Sequence, residues 1–176
     1  SDAQAKAVQE LMRDCGYVSH MIYSAQGSGA NAYDAGAGLS HNMRYDSLAL
    51  SVDRRMFYND EDWMSAIYVE LQNQRPILYN AVDPNMMGHA FVFDGMDSEG
   101  RVHINWGWSG TANGYFDVRD LNGLAPSYPN PYTGTDIKYN FCDDQIMVRG
   151  FKPQETPDAD ELYHSYFAML EPDSIW

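Results

Sequence analysis

Gly88-His89-Ala90-Phe91-Val92-Phe93-Asp94-Gly95, the polar turn Asp97-Ser98-Glu99-Gly100 and the run Val102-His103-Ile104-Asn105-Trp106-Gly107-Trp108 constrain this chain more than any other stretch. An apolar run, a turn of small and acidic residues, and a second run alternating Val102, Ile104 and Trp106 predict two antiparallel strands in a hairpin. In such a pair the start of one strand lies beside the end of the next. His89 opens the first strand and Asn105-Trp106 close the second, so imidazole, carboxamide and indole are expected at one rim of a sheet. A histidine oriented by an asparagine and covered by a tryptophan is the base half of a nucleophilic catalytic site. Asn105 is expected to fix the ring through its side chain, or through its main-chain carbonyl. On sequence physics alone, a single histidine at a strand start also fits a purely structural role.

The other segments read as scaffold. Ser1-Asp2 is a fair N-cap, and Val8, Leu11, Met12 and Cys15 follow at helical spacing to a stop at Gly16. Cys15 then sits on the helix's apolar face, as a buried thiol acting as a small hydrophobe. Its place at a helix C-terminus disfavours thiolate, so it is rejected as a nucleophile. Tyr17 to Ser24 reads as extended, and the small-residue stretch Ala25 to Ala32 as a surface loop or a cleft wall. Asp34 to Tyr45 is weakly helical, and Leu48 to Val52 a short strand. Asn59 or Asp60 caps a clearer helix with Trp63, Ile67, Tyr68 and Leu71 as its stripe. After Arg75-Pro76, Ile77 to Val82 is a strand leading through Asp83–Met87 to His89. Met86 and Met87 line a pocket or fill core.

Beyond the hairpin, Tyr115 to Val118 reads as a strand. Ala125 to Lys138 lacks any period and reads as a structureless, cleft-flanking loop. Gln145 to Lys152 is a closing strand, Glu155 to Asp160 a polar linker, and Leu162 to Trp176 an apolar-rich tail. His103 falls on the face opposite Ile104 without comparable support. His20, His41 and His164 lack ligand spacing, and no metal or cofactor is expected.

Gly88-His89-Ala90-Phe91-Val92, Asn105-Trp106-Gly107-Trp108-Ser109-Gly110 and Gly114-Tyr115-Phe116 together resemble the streptopain family of papain-like cysteine peptidases. The similarity runs from about Ala5 to Pro153. It implies an α+β, papain-like fold: residues 1–57 as the remainder of a left helical subdomain with a cleft loop, residues 58–153 as the right-hand antiparallel sheet carrying His89, and 154–176 as linker and extension. His89, Asn105 and Trp106 are the catalytic residues so implied. Gly88, Ser28, Gly29, Val82 and Met87 are expected to bind substrate. The family's nucleophilic cysteine lies upstream of the region matching Ala7 to Gly16, so the chain is expected to work with a separate chain carrying that cysteine. The resemblance further implies bacterial secretion, a zymogen with an inhibitory propeptide, and protein or peptide substrates. A non-catalytic binding module and a truncated protease fragment remain as alternatives.

Composition fits this picture. With 176 residues, 44% apolar and 14% aromatic, the chain can bury a real core. A net charge of −14 argues against a nucleic-acid partner. No run approaches a membrane span. Two cysteines are too few for a disulfide scaffold.

Overall fold

A computed structural model describes residues 1–25, 27–84, 88–118, 127–129 and 133–154. The first helix, α1 (Asp2–Val18), begins at Ser1, whose ammonium donates to Gln4 Oε1 at 2.9 Å. It runs two residues past Gly16 and closes where Ser19 Oγ donates to the Cys15 carbonyl at 2.7 Å. Gly16 is therefore not a stop but a packing site, where a Cβ would lie 1.9 Å from Tyr23 Oη. Its apolar stripe corrects a second expectation. Val8, Leu11 and Met12 are 56%, 58% and 68% exposed, and Cys15 is exposed rather than buried. The last turn of α1 meets a neighbour: the Val18 carbonyl would lie 2.0 Å from a Cβ at Gly38 of the next helix.

A two-stranded ribbon of β1 (Ile22–Tyr23) and β2 (Ser28–Gly29) follows, then α2 (Ala32–Asn42). Asn31 Oδ1 caps α2 by accepting from the Tyr33 amide at 2.8 Å. The next strand, β3 (Ser51–Arg54), starts three residues later than the Leu48–Val52 strand expected from sequence. Asp46 Oδ1 takes the Leu48 amide at 2.9 Å and turns the chain there, leaving Leu48 97% exposed. A short 3-10 turn (Arg55–Phe57) leads to α3 (Asp60–Gln72), capped by Asn59 Oδ1 on the Asp62 amide at 2.8 Å.

The central sheet adds β4 (Ile77–Val82), β5 (Gly88–Met96), β6 (Val102–Asn105) and β7 (Gly114–Phe116). A small ribbon of β8 (Ser127–Pro129) and β9 (Asp136–Lys138) precedes β10 (Asp143–Arg149). Six strands pair antiparallel in the order β3-β10-β4-β5-β6-β7. β3 is thus hydrogen-bonded into the same sheet as the strands that follow residue 58. The β8–β9 pair replaces the structureless loop expected over Ala125–Lys138. β9 is at least partly exposed on both faces, so it carries no hydrophobic period. The linker at 155–160 and the tail at 162–176 lie outside the described residues. Among the described residues no helix is long and apolar enough to cross a membrane.

One face of the sheet packs on α3. Trp63 and Ile67 of the helix bury fully against Ile77, Tyr79, Phe91 and Phe93. Trp63 Nε1 donates to Tyr79 Oη at 3.3 Å, and Tyr79 Oη donates to Gln145 Oε1 at 2.5 Å. The opposite face carries α2, whose Gly36 meets the Val52 and Val148 side chains. A buried ionic knot ties the layers together. Glu70, 2% exposed, accepts from Arg75 Nε at 2.6 Å and Nη2 at 3.1 Å and from the Gly150 amide at 3.2 Å. Arg149 stands 3.7 Å from the same carboxylate and donates to Asp53 at 2.6 Å, where Tyr58 Oη also donates at 2.8 Å.

Burial pushes the Glu70 carboxyl up, but the Arg75 hydrogen bonds and charge, the Gly150 amide and Arg149 outweigh it and hold it below the ordinary value. A carboxyl depressed by folding stabilises above its unfolded pKa of about 4.3 and loses that contribution as pH falls through the folded value. We therefore expect the melting temperature to drop as pH falls below about 4.3, and Glu70→Gln to flatten that acid limb. At neutral pH the same substitution takes the carboxylate from Arg75, while Arg149 keeps Asp53, and should cost about 3 kcal/mol in urea unfolding.

Candidate active site

The β4–β5 register pairs Ala81 with His89 and Val82 with Gly88, which puts His89 at the rim of the sheet. Strand alternation turns its ring to the same side as buried Phe91 and Phe93. There, His89 Nε2 lies 2.8 Å from the main-chain carbonyl oxygen of Trp106. A carbonyl only accepts, so Nε2 carries the hydrogen. In the neutral ring Nδ1 is then the basic nitrogen.

The orienting acceptor is therefore Trp106, not Asn105. A bulge between Phe93 and Gly95 sets Asn105 opposite Val92, three residues from His89. Asn105 is exposed, and its carboxamide oxygen takes the Gly107 amide at 3.0 Å. That bond starts a turn in which Gly107 adopts φ +74°, and Asn113 Oδ1 takes the Trp106 amide at 3.0 Å. Asn105 and Asn113 hold the peptide that carries the carbonyl.

The indole that covers the histidine is also displaced by two residues. Trp108 stacks on His89 with centroids 5.1 Å apart and planes 25° apart. Trp106 is fully buried behind it, stacked on Trp108 at 5.5 Å and Phe141 at 5.6 Å. Phe141 closes the square by stacking on His89 at 5.7 Å. Sequence reasoning missed Phe141, because it follows a stretch without period; its alternation with Tyr139, stacked at 5.4 Å, was the available signal. Asp83, 3% exposed and one residue past β4, delivers it by accepting the Asn140 amide at 2.5 Å.

His89 borders a cleft of about 740 Å³ between the sheet, the end of α1 and α2. Ser28, Gly29, Val82 and Gly88 line the same cleft. Met87 lies outside the described residues. Cys15 is on the cleft wall too, in the last turn of α1, where the negative end of the helix dipole opposes a thiolate. Cys142 lines a separate cavity of about 180 Å³, and burial, with Asp143 adding negative charge, pushes its thiol up. Neither environment activates a nucleophile. His103, on the other face, pairs Nδ1 with Asp94 Oδ1 at 2.5 Å and meets Tyr115 edge-on at 5.1 Å. Among the described residues no three ligand-type side chains cluster as a metal site.

A base held at Nε2 and walled by stacked rings can take a proton at Nδ1 and keep the resulting imidazolium oriented. Because the acceptor is main chain, Asn105→Ala should leave nitrogen-15 NMR of His89 in the Nε2–H form. Loss of that form would show that the side chain sets the tautomer. Trp108→Leu should preserve the tautomer and cost about 1 kcal/mol beyond the lost area.

The Peptidase C10 family profile matches residues 1–116. Streptopain of Streptococcus pyogenes is 35% identical over 125 residues, 71% of this chain and 31% of that protein. The thiol protease/hemagglutinin PrtT of Porphyromonas gingivalis is 34% identical over 153 residues, 87% of this chain and 17% of its own length. The chain thus spans about a third or less of the curated relatives it matches. Among solved structures, active wild-type interpain A cysteine protease of Prevotella intermedia superposes with a TM-score of 0.70 at 36% identity, covering 85% of this chain and 58% of that one. A prointerpain A fragment of the same organism gives 0.67 at 38% identity, covering 87% and 45%. The likeness carries the papain-like α+β architecture with it, and the chain belongs to the peptidase C10 family of cysteine peptidases.

Proposed function

We propose that this chain supplies the histidine half of a secreted bacterial cysteine endopeptidase whose nucleophilic thiol sits on a segment outside these residues. The carrying observation is the 2.8 Å contact of His89 Nε2 with the Trp106 carbonyl beside the cleft. It leaves Nδ1 as the site of proton exchange. In this reading His89 accepts the thiol proton at Nδ1, and thiolate and imidazolium form an ion pair. The thiolate attacks the scissile carbonyl, the carbon–nitrogen bond breaks, and Nδ1–H protonates the leaving amine. His89 then takes a proton from water, whose oxygen displaces the thioester sulfur. Trp108 and Phe141 exclude water from the ring, which strengthens the Nε2–H bond.

Catalytic roles for His89, Trp106 and Asn105 follow, the last two acting through the carbonyl and the turn that aims it. Ser28, Gly29, Val82 and Gly88 are assigned to the substrate wall, and Met87 is assigned a substrate-binding role with them. Protein or peptide substrates, an inhibitory propeptide and secretion complete the proposal, on the strength of the family. In this proposal residues 1–57 complete the left side except for β3, which pairs into the right-hand sheet of 58–153, and 154–176 are an extension.

Native material incubated with an epoxide inhibitor of thiol proteases and weighed intact under denaturing conditions tests this. We expect this 19.9 kDa polypeptide to stay unlabelled while a cysteine-bearing polypeptide gains the inhibitor's mass. In the full-length protease, His89→Ala should lower kcat by a factor of about 10² to 10⁴. Labelling of Cys15 or Cys142, or a His89→Ala enzyme within threefold of the parent, would contradict the proposal.

A further inference from the structure

Among the described residues two carboxylates are buried, Glu70 in the ionic knot and Asp83 beside the site. Asp83 follows β4 at the rim, one residue past Val82, which pairs with Gly88 of β5 on one side and Asp143 of β10 on the other. The residue is 3% exposed, and its Oδ2 reaches across 57 positions of sequence to accept the Asn140 amide at 2.5 Å. Burying a carboxylate is costly, and an apolar residue of similar size often stabilises such a place as well or better. A carboxylate kept there is better suited to fixing a position than to adding stability.

What Asp83 fixes is an arm of the chain, residues 139–142, that carries two aromatic rings of the site. Phe141 stacks on His89 at 5.7 Å, with planes 29° apart, and on Trp106 at 5.6 Å. Tyr139 stacks on Phe141 at 5.4 Å and packs on Trp108 at 5.1 Å. A bulge in β10 between Asp143 and Ile146 interrupts the ladder with β4 where the arm joins the sheet. There a second side chain grips the arm. Gln145 Nε2 donates to the Cys142 carbonyl at 3.0 Å, and Tyr79 Oη holds Gln145 in turn. The Asn140 amide and the Cys142 carbonyl, one on each side of Phe141, are thus both anchored to side chains of the core.

We infer, resting on the proposed function, that Asp83 is a positioning residue that acts on His89 through Phe141. The bond from Nε2 to the Trp106 carbonyl fixes one atom of the imidazole and leaves the ring free to tilt about it. The stacked rings of Trp108 and Phe141 restrict that tilt, and so set the direction in which Nδ1 points. They also offer their π systems to the imidazolium formed in turnover. Trp108 is carried by the turn that follows the Trp106 carbonyl, whereas Phe141 comes from a distant part of the chain. A ring supplied by a separate segment holds a base to about 0.5 Å only if that segment is itself locked. Gripping a main-chain amide locks the backbone of the arm, and a charged acceptor makes the bond about twice as strong as a neutral one.

Kinetics of the full-length protease and proton NMR of the 176-residue chain test this. Asp83→Ala should lower kcat about tenfold with KM within about twofold of the parent, the cost of a misaimed base. Asp83→Asn, whose carboxamide oxygen still accepts the amide, should restore kcat to within about threefold. Phe141→Leu, which leaves both anchors in place, should lower kcat by the same factor as Asp83→Ala. Adding Asp83→Ala to it should cost less than about twofold more, because the two act as one unit. In the chain, both substitutions should shift the His89 ring-proton signals, which lie in the ring current of Phe141. Tyr115→Phe on the opposite face should move neither those signals nor kcat. A merely structural Asp83 would lower the melting temperature and leave the His89 signals of the folded chain in place. Phe141→Leu within twofold of the parent would overturn the inference, whether or not Asp83→Ala folds. So would an equal cost of Asp83→Ala with and without Phe141, or an Asp83→Asn enzyme as slow as the alanine variant. Shifted His89 signals together with a His89→Ala enzyme of parental activity contradict the catalytic reading alone. Unmoved signals together with an inactive His89→Ala enzyme contradict the positioning role alone.

Discussion

The hydrogen bond from His89 Nε2 to the Trp106 carbonyl, at 2.8 Å, is the interaction on which the site depends. It sets which imidazole nitrogen is basic and which way that nitrogen faces. Much of the surrounding structure holds that one peptide. The bulge in β5 shifts the register, Asn105 and Asn113 anchor the turn, and Trp108 and Phe141 close over the ring. A main-chain acceptor is rigid in a way a carboxamide on a side chain is not, because moving it means moving a strand end.

The hairpin was legible because its two periods are unambiguous: a continuous run at Ala90–Phe93 and a strict alternation at Val102–Trp106. Strand β4 matched its sequence pattern residue for residue. Rim chemistry was legible as a set of residue types but not as an arrangement. The register past the bulge brings the Trp106 carbonyl, not Asn105, to the ring and stacks Trp108, not Trp106, over it. No local pattern announces a bulge. Phe141 lies 52 positions from His89, and its approach depends on buried Asp83 gripping the Asn140 amide, a long-range contact without a local signal.

Helix α1 shows the opposite failure. Its apolar spacing is real, and the inference from spacing to burial is what did not hold, since Val8, Leu11 and Met12 face outward. An amphipathic stripe states that a helix wants a partner; it does not state that the partner lies within the same residues. The exposed stripe runs down α1 to Cys15 and Val18, which line the open cleft beside His89. The Glu70–Arg75–Arg149–Asp53 knot keeps the sheet in place beneath that open face.

The most direct measurement is a crystal structure of this chain assembled with the thiol-bearing segment of the full-length protease. The account predicts the sulfur within about 4 Å of His89 Nδ1, with Nε2 still on the Trp106 carbonyl. A sulfur facing any other residue, or His89 turned so that Nδ1 meets the carbonyl instead, would contradict it.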